Sequence, residues 1–239
     1  MAWIELGLAS PLIVFAGVVR GYSGFGFAVI AALCLNFVVM PLESIVIAIT
    51  LDLLSSLCLI RGVGASIDKP LVTKLILGML IATPFSLFVV SWVSSEGLKL
   101  LIAGLSMIAG GLIMLDLRLN WLDKRYSLAA GAFSGFGMTA GSAGGPPLIL
   151  YLLNLMMSSN ELRATAIVFF LASALTSIVG LTLIGAVNGH LIMTSMALLP
   201  SALIGNLIGK KMHQWLPGLS PRLTTAPLLM GLALVTFLL

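Results

Sequence analysis

Charge is scarce in this chain. Asp, Glu, Lys and Arg make up 8% of its 239 residues, against 60% hydrophobic residues and a mean hydropathy of +1.19. A soluble domain is about 45–50% apolar and about 25% charged. So few charges cannot cover the surface of a soluble fold of this length, which excludes that class. Cysteine is equally sparse: Cys34 and Cys58 both lie inside apolar runs. They read as buried thiols that pack as small hydrophobes, and no spacing of Cys or His suggests a metal site. The apolar runs lack period-2 alternation, which excludes a lipid-facing β-barrel. The start, Met1-Ala2-Trp3-Ile4-Glu5, has neither a basic region nor a small-residue cleavage site, so no cleaved signal peptide is expected. What is left is an all-α integral membrane protein.

Glycine is what the chain has instead, and its placement is informative. Arg20-Gly21-Tyr22-Ser23-Gly24-Phe25-Gly26 interrupts a hydrophobic run over about 8–40, and Ser134-Gly135-Phe136-Gly137 repeats its core 111 residues later (134 − 23). The arms of the first run, about 8–20 and 26–40, are each shorter than the ~20 residues a crossing needs. At 1.5 Å per residue such an arm is ~20 Å long, enough to reach the midplane and return. Helices are expected at about 41–59, 71–93 and 98–117. After a charged linker at 118–127, a second broken run covers about 128–157, with helices at about 161–186, 190–212 and 222–239. Leu35-Asn36 with Glu43 and Leu153-Asn154 with Glu161 also repeat, at an offset of 118 (154 − 36). The reading is a duplication in two halves, 1–117 and 128–239, the second having gained seven residues after its glycine motif.

The basic residues choose between two topologies, because Lys and Arg are retained on the cytoplasmic side in short loops. If each broken run crosses once, Arg61, Lys69, Lys74, Arg118, Lys124 and Arg125 oppose Lys99, Arg163, Lys210, Lys211 and Arg222, which is no bias. If each broken run returns to its own side, only Lys99 opposes all the others, with Arg20 inside the first break. The second arrangement makes each half a re-entrant hairpin, or by the same parity two short full crossings, plus three transmembrane helices, with arm length favouring the re-entrant form, and makes the halves inverted repeats. It puts both termini outside and the 118–127 linker in the cytoplasm. Inverted halves with broken helices meeting near the midplane are the architecture of secondary transporters. The net charge of +4 is then a matter of topology, and no nucleic-acid partner is expected.

Candidate site residues follow from that reading. Backbone freed from a helix in hydrocarbon must face protein or water, although glycines also serve simply to let membrane helices pack closely. The second break reads Gly141-Ser142-Ala143-Gly144-Gly145-Pro146-Pro147. A proline-started half-helix behind flanking glycine N–H groups offers partial positive charge to an anion. Arg20 is an intramembrane charge and a ligand candidate, its planar fork suited to an oxyanion; the alternatives are snorkelling or pairing with Asp52. Asp52 is in turn a candidate proton carrier or a structural partner. Tyr22, Ser23, Gly24, Ser134, Gly135, Asn36 and Asn154 are further candidates, the polar ones either hydrogen-bonding a ligand or joining helices. Arg163 is either functional or an exposed topological charge.

Gly144-Gly145-Pro146-Pro147-Leu148-Ile149-Leu150-Tyr151, then Glu161-Leu162-Arg163-Ala164-Thr165 and a long apolar run ending near Gly185, resembles the TauE/SafE sulfite exporter family. The duplicated unit with a glycine-rich break in each half is similar to the same family, over nearly the whole chain. The resemblance implies an inner-membrane carrier of sulfite, organosulfonates or related small anions, with functional weight on Arg163 and the Gly-Pro segment. No cofactor is expected; protons or another ion are candidates for coupling, and homo-oligomerisation is open. The first half has Phe27-Ala28-Val29 where the second has its Gly-Pro run, so the anion cradle is not extended to it. Two rival readings are a channel that uses the glycine-rich loops as a filter and an intramembrane serine protease using Ser23. The protease needs a base within hydrogen-bond reach, and His190 and His213 both fall at segment ends.

Overall fold

The structure is a computed structural model that describes residues 3–57, 67–115, 123–155, 157–215 and 221–238; among these every regular element is a helix. Cys58, Arg61 and Arg118 lie outside the described residues. Helices α1 (Trp3–Ser23) and α2 (Phe27–Leu35) form the first broken pair. They are followed by α3 (Pro41–Leu57), α4 (Lys69–Trp92) and α5 (Ser95–Leu115). A 3₁₀ turn at Lys124–Tyr126 leads into the second pair, α6 (Ser127–Gly141) and α7 (Gly145–Asn154), then α8 (Ser159–Leu183), α9 (Gly189–Trp215) and α10 (Pro221–Leu238). Helices α1, α4, α5, α8 and α9 each hold a stretch long and apolar enough to cross a membrane. Their outward faces carry large apolar residues such as Ile81, Phe85 and Phe88 of α4, the surface that a bilayer covers.

The first break begins three residues later than expected, and of the second expected break only the Gly141–Pro147 part interrupts the helix. Helix α1 runs on through Arg20 to Ser23, and its 21 residues reach about 31 Å. Ser23 Oγ donates to the Val19 carbonyl at 2.8 Å, closing the last turn. In the second half, Ser134-Gly135-Phe136-Gly137 lies inside α6, and the chain breaks seven residues later, at Ser142–Gly144. Gly135 stays helical because α4 presses on it: a Cβ there would stand 2.6 Å from Met79 Cγ. The repeated tetrapeptide thus falls in different local structure at its two occurrences. The corners and the helix starts that follow share the offset of 118 instead. Gly24 and Ser142 (24 + 118) both take left-handed backbone, with φ of 87° and 57°. Helices α2 and α7 begin at Phe27 and Gly145 (27 + 118), and α3 and α8 at Pro41 and Ser159 (41 + 118).

Small residues set the packing. Helices α1 and α9 lie parallel at a fixed register. Ser10 Oγ meets Ser201 Oγ at 2.7 Å, and the Tyr22 ring meets the His213 ring edge-on at 5.2 Å between centroids. Both pairs are 191 residues apart (201 − 10, 213 − 22). Between them Gly17 and Gly21 face Gly205 and Gly209; a Cβ on Gly17 would stand 2.7 Å from the Ala202 carbonyl oxygen. Such four-residue glycine spacing lets helix backbones touch where no hydrophobic effect drives association. Helices α4 and α6 repeat the arrangement at a register of 56, with Met79 against Gly135 (135 − 79) and Asp68 against Lys124 (124 − 68).

Tyr151 Oη donates to the Asp123 carbonyl at 2.9 Å, so α7 doubles back along α6. Lys124 bonds Asp68 and is also within electrostatic reach of Glu161, so the first turns of α4, α6 and α8 share one end of the bundle. A cavity of about 560 Å³ lined by Asn36–Met40, Glu43, His190 and Leu191 brings the starts of α3 and α9 together. All nine residues of α2 are buried, which explains why that segment is apolar on every face.

Candidate functional site

Where the two breaks meet, the structure encloses a cavity of about 20 Å³, room for a water-sized group. One wall comes from the first half: Arg20 at the end of α1, the Gly24–Gly26 corner, Phe27, Ala28 and Val29 of α2, and Asp52 of α3. The other comes from Met138, Ser142, Gly145 and Phe170. The offset of 118 relates the walls. Arg20 is offset by 118 from Met138 (20 + 118) and Asp52 from Phe170 (52 + 118), so a charged pair and an apolar pair line the same cavity.

Arg20 is 7% exposed and thoroughly tied. Its Nη1 donates to Asp52 Oδ1 at 2.6 Å and to Ser55 Oγ at 2.8 Å, and its Nη2 donates to Ser56 Oγ at 2.5 Å. Its guanidinium carbon lies 5.7 Å from the centroid of the Phe27 ring. Helix α3 can hold it because Asp52, Ser55 and Ser56 lie three to four residues apart, on one helical face. A buried charge needs such pairing and hydrogen bonding. Pairing with Asp52 is thus realised, and both partners line the cavity wall.

The helix whose first-turn residues line the cavity is α2. The first-turn N–H groups of Phe27, Ala28 and Val29 have no intrahelical acceptor, and Gly26 caps the helix without a side-chain bond. In α7 only Gly145 reaches the cavity, and Pro146 and Pro147 supply no N–H. The donor-rich end is therefore in the half to which the cradle was not extended.

The motif serines brace the corners. Ser23 Oγ bonds the Val19 and Phe25 carbonyls, the latter at 2.9 Å, and Ser134 Oγ donates to the Gly144 carbonyl. Gly144 is pressed on α6, where a Cβ would stand 2.7 Å from Met138 Cβ; Pro146 is buried beside it. Gly135 packs on Met79, and the Tyr22 ring lies against His213. Asn36 Oδ1 accepts from Ser44 Oγ at 2.6 Å and Asn154 Nδ2 donates to the Leu150 carbonyl at 2.8 Å, both at the far ends of the half-helices. Arg163 is exposed at the start of the second turn of α8, just after a capping box between Ser158 and Glu161. Of the sequence candidates, Arg20, Gly24, Asp52 and Gly145 come together. Phe27–Val29, Met138, Ser142 and Phe170 also line the cavity but were not sequence candidates, yet the offset of 118 from Asn36 to Asn154, applied to Arg20 and Asp52, points to two of them.

Outside the spanning segments, Asp68 accepts from Leu71 N at 3.1 Å as the N-cap of α4 and pairs with Lys124 at 2.5 Å. The hydrogen bond from Lys124 holds its carboxyl below the usual carboxylate range and raises the ammonium in return.

Apolar helices around a buried ion pair and two broken segments define a multi-pass membrane protein with a polar interior site. The family model described as Sulfite exporter TauE/SafE matches residues 9–236, nearly the whole chain, and the protein belongs to that family. Membrane transport and small-anion export are the class of activity that membership supports. No curated protein and no solved structure matches the chain.

Proposed function

We propose that the protein exports sulfite or a related sulfur oxyanion across the inner membrane by alternating access, binding it in the cavity between the two breaks. The observation that carries this is Arg20: a buried guanidinium on the cavity wall, beside the uncapped start of α2. Cation and helix start both favour an anion.

The motion we infer is a rocking of inverted halves, 1–117 against 128–239, joined by the 118–127 linker in the cytoplasm and with both termini outside. The 118-residue register of the helix starts and the way α7 doubles back support that reading. Asp52 is the proposed proton carrier. Charged, it occupies the guanidinium; protonated, it leaves Arg20 to the anion, which ties proton movement to anion movement. Arg163, exposed beside the end shared by α4, α6 and α8, would draw anions to that mouth.

Proteoliposomes loaded with sulfite test this, with and without a pH gradient. Saturable efflux that the gradient accelerates and Arg20→Ala abolishes is expected. Efflux unchanged in Arg20→Ala removes Arg20 from the site, and a pH-independent rate removes the proton. Cysteine labelling at the termini from outside tests the orientation.

A further inference from the structure

Ser142 stands out among the buried polar residues. It forms the corner between α6 and α7 and is the only non-glycine residue with positive φ among the described residues, at 57°. It is 1% exposed, lines the same cavity as Arg20 and Asp52, and its Oγ has no hydrogen-bond partner. Each fact alone is a cost: an L side chain in left-handed backbone is strained, and a buried hydroxyl without a partner forfeits its bonds to water.

Neither cost is required by the fold. The corresponding corner of the first half is Gly24 (24 + 118 = 142), which makes the same left-handed turn with φ of 87° and no side chain. Glycine at 142 would relieve the strain and remove the orphaned hydroxyl together. The serine braces nothing either, since Ser134 already ties this corner through the Gly144 carbonyl. A feature that burdens the corner and faces a polar cavity belongs to what the cavity binds.

We propose that Ser142 is a ligand-binding residue whose hydroxyl donates to an oxygen of the anion held by Arg20. This rests on the export reading above. The anion would be gripped from both sides: the Arg20 guanidinium and the α2 amides from the first half, and Ser142 Oγ from the second. Met138 and Phe170 complete an otherwise apolar wall there. Because Ser142 is the hydroxyl donor on that wall, it is also how the second half senses that the site is filled.

The test compares Ser142→Gly and Ser142→Ala in proteoliposomes, using inorganic sulfite and measuring KM, maximal rate and thermal unfolding. Glycine removes strain and hydroxyl; alanine keeps the strain and removes only the hydroxyl. A hydrogen bond to a charged acceptor predicts a rise in KM of roughly tenfold or more in both variants, with Ser142→Gly unfolding at or above the wild-type temperature. A KM unchanged in both, beside a wild type that transports sulfite, overturns Ser142 and leaves the export reading standing. A rise in Ser142→Gly alone means that corner stiffness matters and not the hydroxyl, which also overturns it. Absence of saturable sulfite flux in the wild type strikes the export reading and this inference with it.

Discussion

Replacing Asp52 by alanine strands the Arg20 guanidinium, 7% exposed, with Ser55 and Ser56 as its remaining hydrogen-bond partners. Breaking a buried ion pair from one side costs about 3–5 kcal/mol, because the surviving charge keeps its desolvation penalty and loses its compensation. Two serine bonds persist, so the low end, about 3 kcal/mol, is expected; that is roughly a hundredfold in the folded-to-unfolded ratio. Removing both charges is a different perturbation. Arg20→Met with Asp52→Leu approximates the apolar pair that the second half already carries as Met138 and Phe170, and replacing a buried pair by packed apolar groups is often neutral or stabilising. The double variant should return to within about 1 kcal/mol of the wild type while transporting nothing. Unfolding in mixed micelles gives the stabilities, and sulfite flux in proteoliposomes gives the function. A single variant that loses less than about 1 kcal/mol would show that the pair is not buried as described. A double variant that still transports would refute the assignment of Arg20 to the site.

Further expectations follow from the packing and the caps. Gly21→Leu drives a side chain into the Asn206 backbone of α9, an overpacking that costs at least about 1–3 kcal/mol and should show as a lowered unfolding temperature. Gly24→Ala meets open space but holds φ at 87°, so it should cost about 1–2 kcal/mol from backbone strain alone, readable in the same assay. Asp68→Asn should flatten the acid limb of stability. The folded carboxyl titrates below its unfolded value, so its contribution is present above the unfolded pKa and lost as pH falls through the folded one. Since Lys124 is mostly exposed, that contribution is at most about 1 kcal/mol. An acid limb unchanged in Asp68→Asn would contradict the pairing.

The sequence by itself determined the class of this protein. Few charges and long apolar runs admit only helices in a bilayer, and the Gly-Gly-Pro-Pro to Arg-Ala-Thr arrangement carried the family, because both are properties of local composition and order. The offset of 118 was also legible, from Asn36 and Asn154 and from Glu43 and Glu161. Tertiary structure decided where the helices break. Ser134-Gly135-Phe136-Gly137 has the composition of a break, but α4 packs on Gly135 and holds it helical, and glycine frees the backbone only where nothing else confines it. Tertiary structure also decided which half presents its helix start, because only the fold brings the free amides of Phe27–Val29 to the cavity. Ser142 became noticeable for the same reason. In the sequence it is one serine among glycines; in the fold it is a buried, unpartnered hydroxyl on a strained corner, and burial is a property of neighbours that no single segment contains.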